Sequence, residues 1–244
     1  MVGLGTLANM GAIIAGSMIG LLVKGGLTKR FQDTIMNALG LAVMFIGISG
    51  ALEGLFVVEE KSLGTANIML MIISLAIGGF LGELLNIEDK LDKVGEWMKS
   101  SFKVKGDKGQ NFVEGFVSSS LLFCVGAMAI IGSLKDGLTG NALMLYSKAI
   151  IDGIVAIIFA SALGIGTLFS VLPLGIYQGS ITLSAKLIEP YLSDQMISNI
   201  SCIGSILIFG IGINMVFGKK IKCGNILPAV LVPIVYELVV NLFS

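Results

Sequence analysis

Lys148 and Asp152 stand four residues apart at the head of a stretch, Tyr146 to Gly164, that is otherwise apolar enough to cross a bilayer. At that spacing an ammonium and a carboxylate share one helical face. A charge near the middle of a spanning helix costs roughly 2.5 to 3.5 kcal/mol on insertion scales, so it survives mainly when turned toward a partner or a wet cavity. Ala149, Gly153, Ala156 and Ala160 form a small-residue stripe beside the pair, which lets a neighbouring helix come close enough to bury it. The chemistry this permits is binding of a proton, a cation or a polar solute. The bland alternatives are a structural ion pair, or a Lys148 that snorkels to the headgroups and leaves Asp152 as a packing group.

Tyr177, Gln178, Ser180, Thr182 and Ser184 give a second apolar stretch a high density of amide and hydroxyl groups, and Pro173, Gly175 and Gly179 interrupt it. A kinked span is tolerated only where protein or a cavity covers its freed backbone groups. Gln178 and Ser180 therefore join Lys148 and Asp152 as candidate site residues. Ser118, in the run Ser118 to Ser120, could line the same cavity or simply bond back to its own helix. Glu237 lies deep in the last apolar stretch, whereas Glu53, Glu83 and Glu114 fall near span ends, where a carboxylate reaches water. Asn9, Asn37, Asn199 and Asn214 read as interhelical hydrogen bonds worth about 0.6 kcal/mol each.

The elements that must position these groups are membrane spans. Mean hydropathy is +0.95, and 55% of the 244 residues are hydrophobic against 13% charged. Soluble domains carry about 25% charged residues. The fold class expected is all-α, a polytopic bundle forming a single transmembrane domain over 1–244 with about eight spans, seven being the alternative count. The spans run roughly over 3–23, 35–57, 66–85, 112–134, 142–163, 168–188, 196–217 and 226–242. The polar turn Lys135-Asp136-Gly137 closes the fourth. Between the third and fourth, residues 88–105 place Ile87, Leu91, Val94, Met98 and Phe102 at helical spacing among lysines, the pattern of an amphipathic helix on the cytoplasmic membrane surface with Trp97 at headgroup level. The opening stretch has no basic head or cleavage site and reads as a first span rather than a signal peptide.

Charge distribution suggests an orientation. Under the larger span count, Lys24, Lys29, Arg30, six lysines between Lys90 and Lys108, and Lys219, Lys220 and Lys222 share one side, and Lys61, Lys135 and Lys186 the other. The positive-inside rule then puts both termini outside the cytoplasm. Net charge is zero, which suggests no nucleic-acid partner. The chain has no histidine, and Cys124, Cys202 and Cys223 show no paired spacing, so no metal, cofactor or disulfide is expected. No motif of a hydrolase, nucleotide-binding protein or zinc enzyme occurs, and the chain is not expected to be an enzyme; action on lipid is the weakest of the functional options.

Three stretches repeat a layout of Gly-x-x-x-Gly span, connector, and span with adjoining Phe and Gly: Gly16/Gly20 with Phe45 to Gly47, Gly78/Gly82 with Phe123 to Gly126, and Gly175/Gly179 with Phe209-Gly210. The lone fifth span would invert the third unit relative to the others, as in transporters built from inverted repeats. About four such glycine pairs are expected by chance among 33 glycines, so the shared order carries the argument.

The strings Lys148 to Gly166, Tyr177 to Leu183, Gly5 to Asn9 and Phe123 to Leu134 resemble the YdfK/YqgA-like family of bacterial multi-pass inner-membrane proteins. The resemblance implies a bacterial plasma-membrane location and carries no substrate, cofactor or site residue, because the family's function is unknown. The residues themselves favour a small secondary transporter or ion-conducting protein for an ion or small polar solute, surrounded by lipid and paired as a homodimer. The alternative is a non-transporting scaffold or sensor subunit that buries the same groups without a cavity.

Overall fold

The structure, a computed structural model, describes residues 2–24, 29–59, 62–101, 109–124, 126–189 and 193–243. Its long helices are α1 (Leu4–Lys24), α2 (Lys29–Leu55), α3 (Ile68–Leu85), α7 (Leu143–Leu163), α9 (Val171–Ile188) and α10 (Asp194–Phe217). Shorter ones are α4 (Ile87–Ser101), α5 (Gly109–Cys124), α6 (Ala127–Thr139), α8 (Gly166–Phe169), α11 (Cys223–Ile226) and α12 (Val232–Phe243), with a 3-10 turn over Leu227–Leu231 before α12. The fold is all-helical apart from one antiparallel hairpin, β1 (Phe56–Glu59) with β2 (Ser62–Thr65), in which Phe56 pairs with Thr65 and Glu59 with Ser62. Val and Phe at 56–58 suit a strand, and the hairpin ends α2 at Leu55, two residues short of the expected span end.

Six helical stretches among the described residues are long and apolar enough to cross a membrane, and a seventh is formed if α5 and α6, bent by 60°, count as one. The expected fourth span is thus broken near Gly126, whose φ of +132° is left to glycine. Over the expected eighth, 226–242, the chain passes from α11 through the 3-10 turn that holds Pro228 into α12, and its apolar helical stretch, Cys223–Glu237, is too short to be counted with the six.

The helices group into two compact units. In the first, α1 and α7 run parallel and share a contact along much of their length. Gly5 meets Leu145, Gly16 the carbonyl of Gly153 and Gly20 that of Ile157. Small residues let the two backbones touch, as the stripe at Ala149, Gly153, Ala156 and Ala160 implied. Helix α6 fits against both α7 and α9, with Gly132 on Leu145 and Gly137 on the carbonyl of Thr182. Helix α5 lies along α8, Gly166 packing on the backbone of Phe112 and Ser119 Oγ donating to Thr167 Oγ1 at 3.2 Å. An apolar cluster of Ile13, Phe123, Ala156, Val171 and Leu174 fills the centre of this unit.

The expected surface helix is real over Ile87–Ser101, while Phe102, Lys103, Lys105 and Lys108 lie outside the described residues. Its apolar stripe is divided rather than laid on lipid as a whole: Met98 is buried against Phe112 and Phe116 of α5, and Val94 and Trp97 are exposed.

In the second unit α2 runs antiparallel to α10, with Gly40 on Val216, Gly47 on Phe209 and Gly54 on Cys202. Helix α3 meets the last segment through Gly78 on Ala229 and Gly82 on Asn225, again antiparallel. Asn86, left-handed at φ 52°, ends α3 and returns its N–H to Glu83, which frees α4 to start at once. Buried Glu88 accepts from Gly224 N at 2.6 Å and from Lys219 Nζ at 2.9 Å, and its own N–H donates to Asn225 Oδ1 at 2.7 Å. Glu83 accepts from Lys222 Nζ at 2.7 Å and Asn225 Nδ2 at 2.6 Å. The Glu83 carboxylate raises the Lys222 pKa above the ordinary ammonium value. These bonds tie the irregular backbone of 219–231 to the α3–α4 corner. Of the three glycine pairs in the repeated layout, Gly16/Gly20 and Gly78/Gly82 make backbone contacts, while Gly179 meets nothing within 4 Å.

Candidate functional site

Three helices of the first unit bring polar side chains to one buried point. On α7, Lys148 Nζ donates to Asp152 Oδ2, closing the ion pair that the four-residue spacing called for. Each residue is only 6% exposed, so Lys148 does not snorkel. On α1, Asn9 Nδ2 donates to the same Asp152 oxygen at 2.9 Å and to Gln178 Oε1 of α9 at 3.4 Å. Asn9 and Gln178 are both fully buried. Asn9 thus bridges Asp152 and Gln178.

The arrangement follows from the local sequence. Lys148 and Asp152 face α1 because Ala149, Gly153 and Ala156 clear the way for its backbone, Gly153 approaching Ala12. Gly175 admits Met10 against α9, one residue from Asn9. That close approach lets two short amides span the gap between helices.

The site is charge-balanced and incompletely bonded. Lys148 neutralises Asp152, while Asn9 Oδ1 and Gln178 Nε2 have no hydrogen-bond partner among the described residues. Unpaired buried amide atoms cost about 1–3 kcal/mol each. One acceptor and one donor are therefore available to a molecule that both donates and accepts. Among the described residues no three His, Cys, Asp or Glu side chains are grouped to hold a metal ion. All three cysteines are free.

The other candidates lie elsewhere. Ser180 is exposed and donates to Tyr177 O of its own helix. Ser118 is half-buried, and its neighbours Ser119 and Ser120 donate to Thr167 and to Phe116 O. Glu237 belongs to the second unit and accepts from Ser193. Two residues of the first unit acquire a weight that sequence reasoning did not give them. Asn9 is a hub rather than an isolated packing amide, and Asp136 is fully buried instead of solvated in a polar turn, its Oδ2 accepting from Gly5 N at 3.1 Å. The only signal for Asp136 was Ser133 one turn before it in an apolar stretch.

Long apolar helices joined through glycine and carrying outward side chains such as Leu22 and Leu183, 82% and 85% exposed, define a multi-pass membrane protein. The chain belongs to the family described as Protein of unknown function (DUF554), which matches residues 4–238. It is similar to the uncharacterized membrane protein YdfK of Bacillus subtilis (strain 168), 35% identical over 241 residues that cover 98% of each chain. It is also similar to the uncharacterized protein YqgA of Escherichia coli (strain K12), 28% identical over 230 residues covering 93% of each. No solved structure matches the chain.

Proposed function

We propose that this protein is a small secondary transporter or ion-conducting protein of the bacterial inner membrane, serving an ion or small polar solute without catalysing a reaction. The observation that carries the reading is the Asn9–Asp152–Lys148–Gln178 cluster, drawn from α1, α7 and α9 and left with one free acceptor and one free donor. Ionisable groups inside a membrane span are expensive and mark solute or proton paths by default. The broken span before α7, α5–α6, supports the same reading, since interrupted helices are where transporters expose backbone to a solute. The interruption expected at Pro173, Gly175 and Gly179 does not occur, because α9 is one helix from Val171 to Ile188.

Helix directions support an even number of crossings. Parallel spans α1 and α7 must be separated by an odd number of crossings. With α2 and α3 counted as two of them, a crossing by α5–α6 as a broken span keeps the number odd, which supports that reading over a re-entrant turn. The segment from α11 to α12 runs antiparallel to α3 and completes the last crossing. With the basic residues cytoplasmic, both termini then lie outside. Reporter fusions at each terminus test this orientation. The repeated layout and a homodimer belong to the same proposal, because so small a bundle shields a cavity better with a partner.

One observation favours a second reading, a non-transporting scaffold or sensor subunit: all four residues of the cluster are at most 6% exposed. Purified protein in liposomes loaded with a pH-sensitive dye separates the two, with proton, sodium and potassium gradients and then small polar metabolites applied across the membrane. Flux in the wild type that Asp152→Asn abolishes, with assembly intact, is expected. Absence of flux across that panel, or equal flux in the variant, overturns the transport reading.

A further inference from the structure

A second set of unpartnered polar atoms lies one helical turn from the Asn9–Gln178 bond. Asp136 of α6 is fully buried, and while its Oδ2 accepts from Gly5, its Oδ1 has no partner among the described residues. Three hydroxyls share that condition: Thr6 on α1, Ser133 on α6 and Thr182 on α9, which are 5%, 0% and 3% exposed.

The packing places these groups together. Thr6 follows Gly5, whose N–H is bonded to Asp136. Gly137, beside Asp136, rests on the carbonyl of Thr182. Ser133 precedes Asp136 by three residues and so shares its helix face. Thr6 lies three residues before Asn9, and Thr182 four beyond Gln178. Because α1 and α9 run in opposite directions, both steps go the same way from the Asn9–Gln178 bond, by one turn of about 5.4 Å.

Every unpartnered atom of this second set is an oxygen, and one belongs to a carboxylate. The positive end of α1 and the Gly5 N–H offset part of the cost of burying that carboxylate. Lys148 is taken by Asp152, and Lys135 and Lys186, on the same helices as Asp136 and Thr182, are exposed. We propose that Asp136, Thr6, Ser133 and Thr182 form a binding site for a dehydrated alkali-metal cation. Hard cations take oxygen ligands, and an all-oxygen set selects against softer transition metals. A single carboxylate is balanced by one positive charge, whereas a divalent ion would leave an excess charge in a medium of low dielectric. Asn9 Oδ1, also unpartnered and one turn from Thr6, borders the site and joins it to the polar cluster through α1.

The assignment does not rest on the transport reading, since a structural ion would occupy the same oxygens. Full-length protein in lipid nanodiscs is melted while choline is replaced by sodium, and in a second series by potassium, at constant ionic strength. A melting temperature that climbs with the logarithm of either cation's concentration is expected, as is equilibrium binding of about one radioactive sodium ion per chain where sodium is the effective cation. Asp136→Asn keeps an oxygen for Gly5 but removes the charge, and should abolish the dependence. Thr182→Val should move the cation midpoint about tenfold higher. If Asp136→Asn does not fold, Thr182→Val and Ser133→Ala carry the test, since each deletes one neutral ligand. Melting indifferent to both cations, an unchanged response in the variants, or a response to pH alone overturns the site. Cation binding without liposome flux would leave this site standing and remove the transport reading; flux without binding would do the reverse.

Discussion

Breaking the ion pair from one side should cost more than removing it altogether. Asp152→Asn leaves the Lys148 ammonium in a site 6% exposed, with only amides to face it. Removing one partner of a buried pair typically costs 3–5 kcal/mol, because the remaining charge is desolvated without compensation. At about 1.4 kcal/mol per factor of ten, that is a loss of roughly a hundred- to several thousandfold in the folding constant. The double variant Lys148→Met with Asp152→Asn removes both charges, and the introduced amide can still accept from Asn9 through its oxygen. Its cost should fall to about 1–2 kcal/mol, the range of neutral packing changes. Reversible unfolding in bicelles, followed by trapping of the open chain, measures all the corners of the cycle. If Asp152→Asn alone is as stable as the double variant, Lys148 reaches water or headgroups, and the argument from burial fails.

Two further outcomes follow from the packing and the charges. Gly16→Val drives a side chain into the carbonyl of Gly153 and should cost at least 1–3 kcal/mol of overpacking, whereas Gly179→Ala meets nothing within 4 Å and should gain about 0.5–1 kcal/mol of helix stability; the same unfolding assay compares them, and equal effects would remove the close α1–α7 approach. The Lys222 pKa is raised in the folded protein, so the link to Glu83 contributes fully below the unfolded value of 10.5 and is lost as pH rises through the folded one. Melting of wild type against Lys222→Gln across that alkaline window should therefore converge, and a difference that persists above it contradicts the assignment.

Hydropathy made the uninterrupted spans legible, because a helix in hydrocarbon must satisfy its backbone internally and cannot pause. The same reasoning erred where the chain does pause. Residues 112–134 have the composition of a span, yet the helix is bent by 60° beside Gly126, while over 226–242 the chain tightens to a 3-10 turn at Pro228 and goes on as helix. Composition reports whether a segment tolerates lipid, not whether its backbone is continuous. The freed backbone groups near 219–231 are met by Asn214, which accepts from the N–H groups of Lys220 and Ile221 at 2.8 Å each and donates to Ile221 O at 2.7 Å. An interhelical bond was the expectation for Asn214; the pairing it makes is local, and only the chain path reveals it.

The site was half legible for a related reason. Lys148 and Asp152 signal each other because helical periodicity fixes their separation before any tertiary structure forms. Gln178 was marked by the polar density around it. Asn9 and Asp136 carry no such signal, since what distinguishes them is a neighbour more than 100 residues away in sequence. Asn9 looked like one of several amides worth a fraction of a kilocalorie, and its energy in isolation is of that order. Its importance lies instead in sharing two amide hydrogens between a carboxylate of α7 and a carbonyl of α9, so that α1 holds both helices through one side chain. A ligand that bonds to Asn9 Oδ1 therefore acts on all three helices together, and movement of α1 along α7 would change the Asp152 and Gln178 contacts in the same step.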